Sequence, residues 1–294
     1  MKVKVLLDVC PLCSSNQQGP LYQIFSGENI WACSRCGLQY LFPQPNDEDL
    51  NRIYSRAYYN SWGWDSEEIR ETVNAMKRKT FNRYLNYAAK YALSGNLLDV
   101  GCAFGALLEV AKARGWKPYG VEISTYACQR ARRKFGDRIK KGAFENVVFP
   151  ENFFSVMVMS DLLEHTREPM TVLEKANRLL RKGGILLIIT PNTNSFSCKV
   201  MRSRWTHYKN EHLFYFSPVS ILNFLVRSGF RLLLIRPAVK LLSVDYIYYQ
   251  FKSYKHPIIT PILSMLAAVI PHKLRQTPLP ILEGDMLVVG KKEE

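Results

Sequence analysis

What this chain lacks narrows it first. None of its 294 residues form an apolar run of the ~20 needed to cross a bilayer; the best stretch, 258–270, has 13 residues and contains Pro261. Acidic residues are scarce: 25 Asp and Glu stand against 40 Lys and Arg, a formal charge of +15. Such a surplus favours anionic partners: a sugar nucleotide, an anionic membrane face or nucleic acid. There is no Gly-x-Gly-x-x-Gly fingerprint and no Gly-Lys-Ser/Thr, so neither a dinucleotide nor a nucleoside triphosphate is the expected ligand. Repeats and low-complexity tracts are absent, and 47% hydrophobic with 22% charged residues is ordinary for a globular protein. No secretory signal precedes Cys10, which gives no support to disulfides and favours a cytoplasmic chain.

Four of the seven cysteines come as two Cys-x-x-Cys pairs, Cys10/Cys13 and Cys33/Cys36. Each x-x turn sets two sulfurs on one side of a knuckle, so four thiolates converge on one tetrahedral ion in the manner of a zinc ribbon. Gly37 follows the second pair, where the chain favours a residue that tolerates positive φ. Four protein ligands leave no open position, so the Zn2+ is expected to be structural. Cys102, Cys128 and Cys198 are scattered and read as small buried residues.

After the ribbon at 1–44 comes a helical stretch, 45–94, with its clearest helix at 69–91. Residues 95–236 then alternate short apolar runs with amphipathic stretches, the pattern of βαβ units around a parallel sheet. Strands are expected at 97–100, 118–121, 155–159, 185–189 and 230–235, with a last one at 286–289 in a carboxy-terminal extension, 237–294. The first strand runs into Gly101 and Gly105 and then a helix beginning at Ala106. Glycines there let the backbone approach a ligand closely. The second strand ends in Glu122, whose carboxylate can take both hydroxyls of a ribose. Arg130, Arg132, Arg133, Lys134, Arg138, Lys140 and Lys141 cluster nearby and are expected to form a solvated face.

Four stretches carry a resemblance: Leu98-Asp-Val-Gly-Cys-Ala-Phe-Gly105, Gly120-Val-Glu-Ile-Ser124, Asp161-Leu-Leu-Glu-His-Thr-Arg-Glu-Pro169 and 179–192. Residues 97–190 resemble a class I S-adenosylmethionine-dependent methyltransferase. The resemblance implies an α/β, Rossmann-like seven-stranded sheet with its last strand antiparallel. It implies Asp99, Gly101 and Gly105 near the methionine moiety, Glu122 on the ribose, and Ser160 at the cofactor side of the fourth strand. Ala103 stands where the family often has glycine, and Ser155 where an aspartate commonly opens the fourth strand. The amino-terminal Cys-Pro-x-Cys … Cys-x-x-Cys-Gly-Leu module and Asn210-Glu-His-Leu-Phe-Tyr-Phe-Ser-Pro218 resemble C- and O-methyltransferases of deoxysugar and surface-polysaccharide pathways. They imply a small-molecule acceptor, a sugar nucleotide or glycan.

Methyl transfer from a sulfonium needs alignment and removal of the acceptor's proton. His212 is the expected base, with Glu211 orienting it or sharing the proton. His165, which follows the fourth strand, is next in line; His207 reads as structural and Tyr208 lies behind. An RNA methyltransferase with a zinc module is the alternative that the charge allows, but no Asn/Asp-Pro-Pro-Tyr motif is present and Thr190-Pro-Asn192 ends the fifth strand instead. Nucleic acid is therefore not the expected partner. Segment 258–270, flanked by Lys252, Lys255, Lys273 and Arg275, is expected to be a buried helix or a dimer contact. Its alternative is peripheral contact with the inner face of a membrane carrying a lipid-linked acceptor.

Overall fold

The computed structural model describes residues 4–24, 27–46, 48–50, 67–254 and 259–293. Three amino-terminal strands form an antiparallel meander: β1 (Gln18–Gln23), β2 (Asn29–Cys33) and β3 (Gln39–Phe42). A long helix follows, α1 (Glu67–Ala89). Then strands and helices alternate: β4 (Gly95–Val100), α2 (Ala106–Ala113), β5 (Trp116–Glu122), α3 (Thr125–Phe135), β6 (Ile139–Lys141), β7 (Phe154–Ser160), α4 (Pro169–Leu179) and β8 (Leu180–Pro191). The rest comprises α5 (Phe196–Met201), β9 (Phe214–Tyr215), α6 (Pro218–Arg227), β10 (Phe230–Pro237), β11 (Lys240–Leu242), α7 (Val244–Tyr254), α8 (Ile259–Val269), α9 (His272–Arg275), β12 (Leu279–Ile281) and β13 (Asp285–Lys292).

Seven strands build one sheet in the order β10-β13-β8-β7-β4-β5-β6. β13 runs antiparallel between β10 and β8, whereas β8, β7, β4, β5 and β6 are mutually parallel. The parallel strands are buried on both faces, which is why they read as continuous apolar runs. Their side chains still alternate. Leu98, Val100, Met157, Met159, Leu186 and Ile188 face a core built with Leu173 of α4 and Phe224 of α6. Leu97, Val156, Val158, Ile185 and Leu187 face the opposite one, under Leu85 and Ala88 of α1 and Leu107 of α2. Each such side chain contributes roughly 1.5–3 kcal/mol on burial. The helices have clear local starts: Ser124 caps α3 by accepting from Ala127 N, and Ser217 and Ser220 form a capping box at α6 with Pro218 as its first residue.

The strand order reverses between β4 and β7, which opens a crevice at the carboxyl ends of these strands. Two segments close around it. The meander does not stand apart from the sheet domain: β3 pairs with β9, through Gln39↔Tyr215 and Tyr40↔Phe214. From the other side α1 packs along α2 and β11. The basic cluster behaves as expected, with Arg132, Arg133, Lys134, Arg138 and Lys141 exposed, while Arg130 lies over the Tyr126 ring and Lys140 over Phe149.

The carboxy-terminal apolar segment corrects one expectation. It is helical, as α8, but it is not buried within the chain: Met265 is 61% and Val269 77% exposed, with Ile262 and Leu266 also open. It packs on α7 alone among its larger contacts, so most of its apolar faces stay uncovered. Lys255 and residue 258 lie outside the described residues. No helix among the described residues is long and apolar enough to cross a membrane.

Candidate active site

The crevice has two sides. On the first, the turn after β4 is left-handed at three places: Gly101 (φ 79°), Ala103 (φ 45°) and Gly105 (φ 84°). A Cβ at Gly105 would come within 2.9 Å of the Phe135 ring, and one at Gly101 within 3.1 Å of Leu162. Glycine is thus required by space as well as by φ. Ala103 adopts the same conformation at a steric cost of roughly 1–2 kcal/mol, and its amide is used: Ala103 N donates to Glu122 Oε2 at 2.8 Å. Ser124 N donates to Glu122 Oε1, also at 2.8 Å. These two amides hold the carboxylate, 3% exposed, at the end of β5 beside the turn.

Asp99 sits one strand over and is 4% exposed. Burial, with the neighbouring charge of Glu122, pushes its carboxyl up to about 8, and Lys77 from α1 opposes that shift. Lys77 itself titrates lower than usual because it is buried, although Asp161 and Asp99 both act to hold its charge. A glycine turn, a fixed carboxylate and a buried acid at a sheet switch point form a cradle for a small cofactor with a ribose and a cationic tail.

On the second side, Ser160 ends β7, half-buried, its hydroxyl donating to Asp161 Oδ2 at 3.2 Å. The chain then passes through Asp161, left-handed at φ 51°, into a short turn, Leu163–His165. Glu164 in this turn is fully buried and accepts from Thr190 Oγ1 at 2.9 Å. Burial and the nearby Asp161 charge raise its pKa well above the usual carboxylate range. His165 Nδ1 lies 2.9 Å from the Glu211 carbonyl oxygen, so this nitrogen carries the proton. His212 comes from the segment before β9, packs edge-to-face on His165 with ring centres 4.6 Å apart, and is 6% exposed. Burial keeps both imidazoles neutral by lowering their pKa values.

His207 behaves as the structural residue expected: its Nε2 lies 3.3 Å from the Glu283 carbonyl oxygen and 3.6 Å from Asp285. Tyr208 is buried and donates to Gln39 Oε1 at 2.8 Å. Lys240 anchors the outer rim, 2.8 Å from Asp285 and 3.3 Å from both Asp161 and Glu283.

In the meander, the four cysteines of the two pairs converge. Cys10 and Cys36 Sγ lie 3.5 Å apart, as do Cys13 and Cys33, and all four sulfurs fall within 4.8 Å of one another. All are free thiols. The two knuckles match: Ser14 N donates to the Cys10 carbonyl and Gly37 N to the Cys33 carbonyl, each at 2.8 Å, and both Ser14 and Gly37 are left-handed. Bonds of about 2.3 Å in a tetrahedron put sulfurs roughly 3.8 Å apart, so the cluster has the size and donor chemistry of a four-thiolate zinc site. Burial pushes the free Cys10 thiol up to about 11.

Residues 67–235 match the family described as "Methyltransferase domain". The chain belongs to this methyltransferase family. Among curated relatives, a ubiquinone biosynthesis O-methyltransferase of Haemophilus ducreyi is 22% identical over half of this chain and 65% of its own length. One from Thiobacillus denitrificans is 31% identical over 34% of this chain and 46% of its own. A sarcosine/dimethylglycine N-methyltransferase of Aphanothece halophytica is 24% identical over 46% and 53%. The chain thus spans less than two thirds of the length of these relatives. The crystal structure of YcgJ from Bacillus subtilis superposes with a TM-score of 0.52 at 12% identity, covering 74% of this chain and 99% of that one. A Bacillus halodurans C-125 protein thought to be a methyltransferase gives 0.53 at 16%, covering 73% and 99%. Both likenesses bear on the fold, a Rossmann-like methyltransferase sheet.

Within this S-adenosylmethionine-dependent methyltransferase domain, the fold gathers Asp99, Gly101, Gly105 and Glu122 at one pair of strand ends, with Ser160 on the adjoining strand. It brings His165, Glu211 and His212 together on the other side. Lys77, Lys240 and Asp285 complete the rim, and sequence reasoning did not single them out. Lysines in amphipathic or short polar stretches look like surface residues until the packing turns them inward. The left-handed Ser14 was equally hidden, although its equivalence to Gly37 follows from the repeat of the two knuckles.

Proposed function

We propose that the chain transfers a methyl group from S-adenosylmethionine to the oxygen or carbon of a sugar, nucleotide-linked or within a glycan. The observation that carries this reading is the fixed Glu122 carboxylate beside the Gly101–Gly105 turn, across the switch point from a paired His165–His212 cluster. Glu122 would take the ribose hydroxyls. Asp99, Gly101 and Gly105 would border the methionine moiety, and Ser160 would line the cofactor side. Bound there, the cofactor supplies an electrophilic methyl on a sulfonium.

The protein's own work is then alignment and deprotonation. The Glu211–His212 pair removes the acceptor's proton, and His165 packs against it. Neutral, buried imidazoles suit that task at pH 7. The sugar assignment draws on the amino-terminal cysteine module and on 210–218, and the names of the curated relatives are consistent with a small acceptor. Cys10, Cys13, Cys33 and Cys36 would hold one structural zinc ion; their convergence supports this.

Radiolabelled methyl transfer to a panel of sugar nucleotides tests the reading. His212→Ala should cut turnover about 10²–10⁴-fold with donor affinity unchanged. Glu122→Ala should weaken donor binding by about 1.5–3 kcal/mol. Near wild-type turnover in His212→Ala would remove it from the mechanism. A second reading, a lipid-linked acceptor at an anionic membrane surface, is favoured by the exposed apolar face of α8. Retention of the chain on anionic vesicles, absent on neutral ones, would support it.

A further inference from the structure

Glu164 has no task in the proton transfer just described, yet it is fully buried against it. Its Oε2 is bonded to Thr190, but Oε1 has no hydrogen-bond partner. His212 Nδ1 is a second buried atom without one. Folded proteins rarely leave such groups unpaired, and each instance asks for an explanation. Two of them here face the same place. A third atom is prepared for it: His165 gives its Nδ1 proton to the Glu211 carbonyl, which leaves Nε2 with a free lone pair. One such backbone bond to the far nitrogen is how proteins orient a metal-binding histidine. One ligand atom from each of Glu164, His165 and His212 lies within 4.8 Å of the other two.

We propose that Glu164, His165 and His212 hold one divalent transition-metal ion, through the Glu164 carboxylate, His165 Nε2 and His212 Nδ1. Metal–ligand bonds of about 2.1 Å set ligand atoms at most roughly 4.2 Å apart, so side-chain movement of about half an ångström closes the set. Two imidazole nitrogens and one carboxylate suit zinc, manganese or iron(II), whereas magnesium and calcium prefer oxygen donors alone. Three protein ligands also leave coordination positions open, unlike the four thiols of the meander.

The inference rests on the reading of this cluster as the acceptor's side of a methyltransferase site, and it deepens that reading. An acceptor hydroxyl or keto oxygen at an open position would be held in place and made easier to deprotonate. The lone pair of His212 Nδ1 cannot serve both an ion and a proton. With the ion bound, Glu211 is the member of the Glu211–His212 pair left to receive the proton.

The test is a titration of the full chain with Mn2+ alone, its cysteine site left loaded with zinc, followed by electron paramagnetic resonance. One Mn2+ per chain should bind and show nitrogen couplings from two imidazoles. His165→Ala and Glu164→Gln should each weaken binding at least about 100-fold, while Glu211→Gln should keep the ion and lose turnover. Calorimetric binding of S-adenosylmethionine reports which variants fold, and His165→Ala serves if Glu164→Gln does not. Absence of a stoichiometric Mn2+ site in the wild type, or binding indifferent to His165→Ala, overturns the proposal. Methyl transfer that continues at full rate after Mn2+ and adventitious ions are stripped, with the zinc retained, leaves His212 as base and removes the ion. Absence of methyl transfer with and without Mn2+ counts against the methyltransferase reading, while the binding data still decide the site.

Discussion

Two neighbouring carboxyls, Asp99 and Glu122, set the electrostatics of the donor side. Glu122 is held by two amides, but Asp99 is buried with only the Lys77 charge drawing it down, and it titrates near 8. Its ordinary value is about 3.9, so the folded chain keeps this proton where the unfolded chain has lost it. Stability contributed by this group therefore declines as pH rises from about 4 to about 8, the reverse of a salt-bridged carboxylate. The same proton should report on the donor. If the cationic end of S-adenosylmethionine sits beside Asp99, binding favours the ionised form. Below about pH 8 binding should release a proton, and affinity should climb with pH until it levels near that value. Calorimetry in buffers of different ionisation enthalpy measures the release; a heat independent of buffer at pH 7 would place the cationic end elsewhere. At this scale the sequence was informative where chemistry dictates residue type: the paired cysteines, the two glycines, the acid at a strand end. It was silent on Lys77 and Lys240, because where a long flexible side chain ends is decided by tertiary packing.

Elements were legible in proportion to their apolar pattern. The strand cores at 97–100, 118–121, 155–159 and 185–189 lie inside β4, β5, β7 and β8, and the expected 69–91 helix is α1 to within two residues at each end. β6 escaped notice because it has only three residues, Ile-Lys-Lys, of which Ile139 alone is buried. β9 escaped because two residues make no pattern; its partner β3 decides it. Segment 258–270 shows the limit of reading burial from hydrophobicity. Its sequence is apolar on nearly every side, yet the helix it forms lies open. Exposed apolar patches of this kind mark surfaces with a function outside the chain. Met265→Asp should accordingly change the stability of the isolated chain by no more than about 0.5 kcal/mol, as chemical denaturation would show. A loss of several kcal/mol would mean that the side chain is covered in solution, by a second copy or otherwise.

For the molecule as a whole, the meander and the acceptor side form one continuous structure. Besides the β3–β9 pairing, Leu41 N donates to the Leu213 carbonyl at 3.0 Å, Gln44 Nε2 to the same oxygen at 3.2 Å, and Asn210 Nδ2 to Glu28 at 3.1 Å. Arg167 reaches the Pro45 carbonyl at 2.6 Å from just beyond the Leu163–His165 turn. The residue next to His212 is thus tied to the cysteine-bearing strands, whereas Asp99, Gly101 and Glu122 are built by the sheet. If a zinc ion holds the four thiolates, it contributes on the order of 10–16 kcal/mol, as in small zinc peptides. Cys33→Ala should then unfold the meander and abolish turnover while S-adenosylmethionine binds as before. Elemental analysis of the freshly purified protein should find one zinc per chain at this site, and loss of donor binding in Cys33→Ala would show that the two halves do not separate.

The β3–β9 pairing carries a consequence for how such an enzyme can change its acceptor. A loop that depends on a strand 170-odd residues earlier cannot be exchanged by itself. Grafting 207–217 from a relative with another acceptor should give a protein that binds donor and is idle. Grafting it together with 1–45 should restore turnover, because lock and latch would then be inherited as a pair.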